Sequence, residues 1–213
     1  MKLVQFASYD EYVSVQTARN KDILHQTPWV TRQSTDQVVR YVRNHIPQPR
    51  LGICHGVRNG WEVAEFRKAL GIEVIGTEIS ETAGLFENVI QWDFHDVKPE
   101  WRGQVDFIYS NALDHSYDPV MCLERWMSCL SPGGCCFIEW STNHNETYGL
   151  QSDCYSASKE EYQQLLSARY DVVDVLTVKR SSRILWKNLF RSGQPLVRRK
   201  ERVLFVARNR RGG

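Results

Sequence analysis

Short apolar runs, each closing on polar residues or glycine, alternate with helix-period stretches through the middle of the chain. The first run, Leu51-Gly52-Ile53-Cys54-His55, breaks into Gly56-Val57-Arg58-Asn59-Gly60. The second, Glu73-Val74-Ile75-Gly76-Thr77-Glu78, ends on an acid. The third, Val89-Ile90-Gln91-Trp92-Asp93-Phe94, ends on an acid and an aromatic. The fourth, Val105-Asp106-Phe107-Ile108-Tyr109-Ser110-Asn111, leads into a polar cluster. The fifth, Cys135 to Trp140, follows the turn Ser131-Pro132-Gly133-Gly134. Helices are expected between them at 58–70, 80–87 and 119–130. Strand and helix alternating in this way predict an α/β fold with a doubly wound, mostly parallel sheet. Such sheets bind ligands beyond the carboxyl ends of their strands, where this chain keeps its polar residues.

The flanks differ. Residues 1–47 are polar and helical in pattern, with Asp10 to Gln16 and then Asp36 to Val42. The second stretch carries Val38, Val39, Val42 and Ile46 on one helical face. Ser34 or Thr35 is the expected cap, and Pro47-Gln48-Pro49 ends the helix. Pro28-Trp29 separates the two stretches, giving a short helical cap over 1–47 ahead of a main domain over 48–213. Tyr9, Tyr12, Gln16 and Trp29 are its candidates for lining a substrate pocket. At the other end, a helix at 158–168 is followed by two strand patterns, Val172 to Val178 and Arg202 to Ala207. Two successive strands predict an antiparallel hairpin on the sheet edge.

Composition narrows the setting. At 213 residues the chain can bury a full core. It has no apolar run long enough to span a bilayer, and Met1 to Phe6 lacks the core of a signal peptide. Six cysteines without a Cys-x-x-Cys pair read as reduced thiols in a cytoplasmic protein, without zinc. The formal net charge of +2 hides an asymmetry, since residues 179–213 hold twelve Lys/Arg against the single acid Glu201. That end is read first as a solvated edge; nucleic acid is the lesser alternative.

The candidate chemistry lies at the strand ends. Gly52, Gly56 and Gly60 would let a backbone approach a ligand at a helix N-terminus. Glu78, about 20 residues after that turn, is placed to accept both hydroxyls of a ribose. Its bland alternative is a helix cap. Asp93 can accept from an exocyclic amine while Phe94 borders the base, a feature less expected of a nicotinamide enzyme.

In order and spacing, these segments resemble class I S-adenosylmethionine-dependent methyltransferases. Gly52 to Gly60 is similar to the glycine-rich first motif, Glu78 to the ribose acid, and Asp93-Phe94 to the adenine pair. Ser110-Asn111-Ala112-Leu113-Asp114-His115 resembles the segment after the fourth strand of that family, and Leu130-Ser131-Pro132-Gly133-Gly134 its turn before the fifth. The resemblance covers about residues 50–140. It implies a seven-stranded Rossmann-like sheet with a terminal hairpin, S-adenosylmethionine as cofactor, and cofactor contacts at Gly52, Cys54, His55, Gly56, Arg58, Glu78, Ile79, Asp93, Phe94, Ser110 and Asn111. The chain departs from the pattern at Arg50, where the family has an acid, and at Cys54, where it has a glycine. Arg58 or Asn59 is then a candidate for the methionine carboxylate.

Methyl transfer to a hydroxyl needs a base near the sulfonium. His115 oriented by Asp114 is the first candidate, His144 the second and His95 the third. Asp114, His115 and His144 have metal-ligand chemistry without diagnostic spacing, and no metal is assigned. The short cap favours a small-molecule or sugar hydroxyl as acceptor. Ser110-Asn111-Ala112-Leu113 stands where enzymes methylating nucleobase or glutamine nitrogens carry Asn-Pro-Pro-Tyr. Two rival readings stay open. One is an NAD-dependent oxidoreductase, which would need a catalytic Tyr-x-x-x-Lys, and none is identified. The other is a non-catalytic protein binding an adenosine cofactor or RNA, which the basic end would suit.

Overall fold

The computed structural model describes residues 1–144, 153–179 and 201–210, the side chain of His144 excepted. Its chain order is β1 (Lys2–Leu3), α1 (Tyr9–Ile23), α2 (Arg32–His45), β2 (Leu51–His55), α3 (Trp61–Leu70), β3 (Glu73–Glu78) and β4 (Val89–Gln91). There follow β5 (Val105–Ser110), α4 (Pro119–Cys129), β6 (Leu130–Ser141), β7 (Tyr155–Ser156), α5 (Lys159–Ser167), β8 (Asp171–Thr177) and β9 (Arg202–Arg208). Seven strands form the main sheet in the order β4-β3-β2-β5-β6-β9-β8. The first five in that order are parallel, while β9 is antiparallel to both β6 and β8, closing the sheet with the expected hairpin. The order reverses between β2 and β5, and a crevice opens at such a point.

Period-2 patterning divides the strands between two cores. Ile53, Ile108, Cys136, Ile138 and Phe205 face α4 and α5, packing with Leu123, Trp126, Tyr162 and Leu166. Their alternates Cys54, Phe107, Tyr109, Phe137 and Val206 face α2 and α3, packing with Val38, Val42, Val63 and Phe66. Helix α2 therefore covers the sheet directly. All six cysteines are buried. Among the described residues, no helix is long and apolar enough to cross a membrane.

Several local expectations shift. The cap of α2 is Thr31, whose Oγ1 accepts from the Ser34 N–H at 3.2 Å, so the helix starts ahead of Ser34 and Thr35. The helix expected at 80–87 is a 3-10 turn at Glu81–Leu85, cut short where Asn88 takes φ 60° to enter β4. The pair β1–β7, which no pattern announced, ties the N-terminus to the segment before α5. Of the basic end, residues 180–200 and 211–213 lie outside the described residues.

Candidate active site

The turn after β2 is the mechanical centre of the site. Gly56 (φ 69°), Arg58 (φ 49°) and Gly60 (φ 67°) all adopt left-handed backbone. Arg58 does so at a cost of roughly 1 kcal/mol for a residue with a Cβ. A Cβ on Gly56 would sit 2.5 Å from the Ala112 Cβ, so only glycine lets the exits of β2 and β5 pass this closely. The Gly56 and Val57 N–H groups both donate to the Thr77 carbonyl, fastening the turn to β3. The Arg58 guanidinium donates to the carbonyls of Gln26 (3.1 Å) and Thr27 (2.9 Å) and holds down the chain between α1 and α2.

Above this turn lies a cavity of about 420 Å³. Gly56 to Asn59, Glu78-Ile79, Asp93-Phe94, the Asn111–His115 segment and Asn143 reach it from the ends of β2, β3, β4, β5 and β6. Its roof is Tyr12, Gln16, Arg19 and Asn20 of α1 with Pro28 to Val30 of the following loop. The volume lies within the range of small-molecule sites.

Glu78 is 6 % exposed, and its carboxylate accepts backbone N–H groups from Arg58 (2.9 Å) and Ser80 (3.2 Å). Burial raises its pKa, and those N–H groups oppose the rise. Each oxygen keeps a lone pair for a further donor, which suits a diol. Asp93 accepts from the Tyr9 hydroxyl (2.8 Å), the His95 N–H (2.8 Å) and the His95 ring at Nδ1 (2.7 Å). Burial pushes its pKa up, but the hydrogen bonds and charge of His95 outweigh it and the net shift is downward. Three of roughly four acceptor sites are thus filled and one remains.

His95 has both ring nitrogens engaged, Nδ1 with Asp93 and Nε2 with the Ser116 hydroxyl at 2.8 Å, which leaves none for proton abstraction. His115 lines the cavity, with its Nε2 4.0 Å from the Asp114 carboxylate, too far for a hydrogen bond, and its buried Nδ1 unpartnered among the described residues. One ligating atom each from Asp114, His115 and Asp153 lie within 4.8 Å of one another, a geometry a divalent cation can bridge. Asp153 stands where the sequence suggested His144, whose side chain lies outside the described residues.

Four expected contacts do not reach the cavity. Gly52 lies mid-strand, its missing side chain replaced by the Phe107 ring. The Cys54 side chain is buried toward α2 and α3. His55 bonds Thr77 Oγ1 at 2.8 Å and stacks on Trp126, and burial drives its pKa down to about 3. Ser110 donates to the His55 carbonyl and accepts from the Ala112 N–H, pinning β2 to β5. Gly56, Arg58, Glu78, Ile79, Asp93, Phe94, Asn111, Asp114 and His115 do line it, as do Tyr12, Gln16 and Trp29. Tyr9 acts one step back, through Asp93. Arg19, Asn20, Glu62 and Asp153 were missed. The first two continue a stripe with Tyr12 and Gln16 at helical spacing, a signal that was readable; Glu62 looked like an ordinary acid in a first helical turn.

No protein-family model and no curated protein sequence matches the chain. Solved structures do. It is similar to the 1,6-didemethyltoxoflavin-N1-methyltransferase of Burkholderia thailandensis, solved with its substrate and S-adenosylhomocysteine, at 16% identity over 97% of this chain and 92% of that one, TM-score 0.67. It is similar to the geranyl diphosphate C-methyltransferase of Streptomyces coelicolor at 14% identity over 97% and 100%, TM-score 0.64. This is the class I methyltransferase fold. The cyclase SpnF shares it at 11% identity over 98% of both chains, TM-score 0.62, so the methyltransferase fold alone does not name the reaction. The oxidoreductase motif not identified above does have a match in spacing, Tyr155-Ser156-Ala157-Ser158-Lys159, but Tyr155 is wholly buried and Lys159 pairs with Glu201, away from the cavity.

Proposed function

We propose that this chain is an S-adenosylmethionine-dependent methyltransferase acting on the oxygen of a small-molecule or glycan acceptor in the cytoplasm. The observation that carries this reading is the convergence of the glycine turn, Glu78, Asp93-Phe94 and Asn111–His115 on one cavity. The donor set fits the group: a diol acceptor in Glu78, one remaining acceptor site on Asp93, and the Phe94 ring beside it. When bound, the cofactor supplies a methyl group already activated on a sulfonium.

The chain's own residues do the rest. Glu78 accepts the ribose hydroxyls and Asp93 the exocyclic amine, fixing the nucleoside. Helix α1 and Trp29 roof the site. His115 takes the proton from the acceptor hydroxyl, and the Asp114 carboxylate stabilises the imidazolium that forms.

Calorimetric titration with S-adenosylhomocysteine, run beside NAD⁺, tests the reading. Binding of the first alone supports it, and binding of NAD⁺ alone or of neither overturns it. Screening acceptors with a labelled methyl donor then tests turnover, where His115→Asn should abolish transfer and leave S-adenosylhomocysteine affinity unchanged.

A further inference from the structure

Glu62 is the second residue of α3, is 4 % exposed and lines the cavity. A buried carboxyl is ordinarily paired. Among the described residues Glu62 has no ion pair, and the hydrogen bond it accepts comes from its own backbone N–H. The groups facing it are Arg58 from its own turn, Glu78 from β3, Glu139 from β6, and Tyr109 and Cys54 beneath, on β5 and β2. Arg58 lies within electrostatic reach, but its Nη2 donates to the carbonyls of Gln26 and Thr27 and it forms no ion pair with Glu62 among the described residues. Glu62 therefore faces two carboxylates and one guanidinium that does not pair with it, and the cavity is where a further partner can reach it.

We infer that Glu62 is the recognition residue for the primary ammonium at the amino-acid end of the cofactor, an inference that rests on the function proposed above. An ammonium has donors and no acceptor, and a carboxylate the reverse. Arg58 lies within electrostatic reach of both Glu62 and Arg19, so the same end of the cavity offers cations for the neighbouring carboxylate of an amino acid. The chain, which lacks an acid at Arg50, supplies one from α3 instead. In the free protein, burial first and then Glu139 and Glu78 raise the Glu62 pKa to about 8, against the pull of its own N–H and Arg58. At pH 7 the empty site then holds a neutral carboxyl. Entry of the ammonium ionises it, and the carboxyl proton leaves to solvent.

The experiment is a comparison of S-adenosylhomocysteine with its deaminated analogue, 5′-S-(3-carboxypropyl)-5′-thioadenosine, by calorimetry on wild type and Glu62→Gln. Wild type should prefer the amine-bearing ligand by about tenfold to a hundredfold, the range of a charged hydrogen bond. Glu62→Gln should lose most of that preference while binding the analogue as wild type does. Equal wild-type affinities, or a preference that survives in Glu62→Gln, overturns the inference and leaves the cofactor reading intact. Failure of wild type to bind either ligand overturns both. Should the variant not fold, proton release from wild type decides, measured in two buffers of different ionisation enthalpy. Close to one proton more for S-adenosylhomocysteine than for the analogue supports Glu62, and no difference overturns it.

Discussion

Two buried glutamates lie within electrostatic reach of each other, and the protein treats them oppositely. Glu139 on β6 is 1 % exposed and fully answered from inside: Tyr109 donates to it at 2.6 Å, Ser34 at 3.0 Å and Arg202 at 2.5 Å. Arg202 also stacks on the Trp29 ring at 3.9 Å, so this cluster ties α2, β5, β6, β9 and the cavity roof together. Glu62, equally buried, has only its own amide. A buried charge satisfied by the fold serves the fold, whereas one left open toward a cavity is set aside for something that enters.

The largest expected effect sharpens the first half of the contrast. Glu139→Ala strands a mostly buried guanidinium and two hydroxyls, which should cost about 3–5 kcal/mol of stability. Urea denaturation measures it, with cofactor affinity of the folded fraction changing far less. A loss below about 1 kcal/mol would break the comparison, because Glu139 would then be no more committed to the fold than Glu62.

Glu62 should show the opposite sign. The folded chain holds its proton to about 8 where an unperturbed carboxyl loses it near 4.5. Folding therefore takes up a proton between those values, and stability falls as pH rises from about 4.5 to about 8. Glu62→Gln removes this penalty and should stabilise the free protein at pH 8 by on the order of 4 kcal/mol, with little change at pH 4.5. Matched denaturation curves at the two pH values check it; a variant less stable than wild type at pH 8 would mean that Glu62 has an internal partner.

Glu78 falls between the two, held by two backbone N–H groups yet open to the cavity. Glu78→Ala should weaken S-adenosylhomocysteine binding by about 1–3 kcal/mol, read by calorimetry on the folded variant. Unchanged affinity would end the ribose assignment.

These three acids also mark how far the sequence could be read. Glu78 closes β3 and Asp93 follows β4 by two residues, positions that are local in sequence. The parallel, doubly wound sheet and the hairpin followed from strand and helix patterning in the same way. Gly52, Cys54, His55 and Ser110 belong to strands, whose side chains point at the two faces under the helices rather than at the edge where ligands bind. A motif read as a string does not separate faces from edge. Glu62 and Glu139 are told apart only by partners up to 105 residues distant, such as Ser34 on α2. Long-range satisfaction of this kind has no local signature.

The smallest effect concerns Asp93, where the fold has nearly used up a site acid. Tyr9 is 49 % exposed, and its hydroxyl joins α1 to the end of β4 through the Asp93 carboxylate. Tyr9→Phe removes one of three donors and should cost about 0.5–1 kcal/mol, at the low end for a hydrogen bond because water can replace the phenol. The loss should appear as faster amide exchange in α1, with little change in the sheet. His95 continues to hold the other carboxylate oxygen at 2.7 Å, so the Asp93 pKa rises only modestly and cofactor affinity falls by less than about threefold. A larger fall in affinity would show that Tyr9 orients Asp93 for the ligand, so that a bond made within the fold also serves the site.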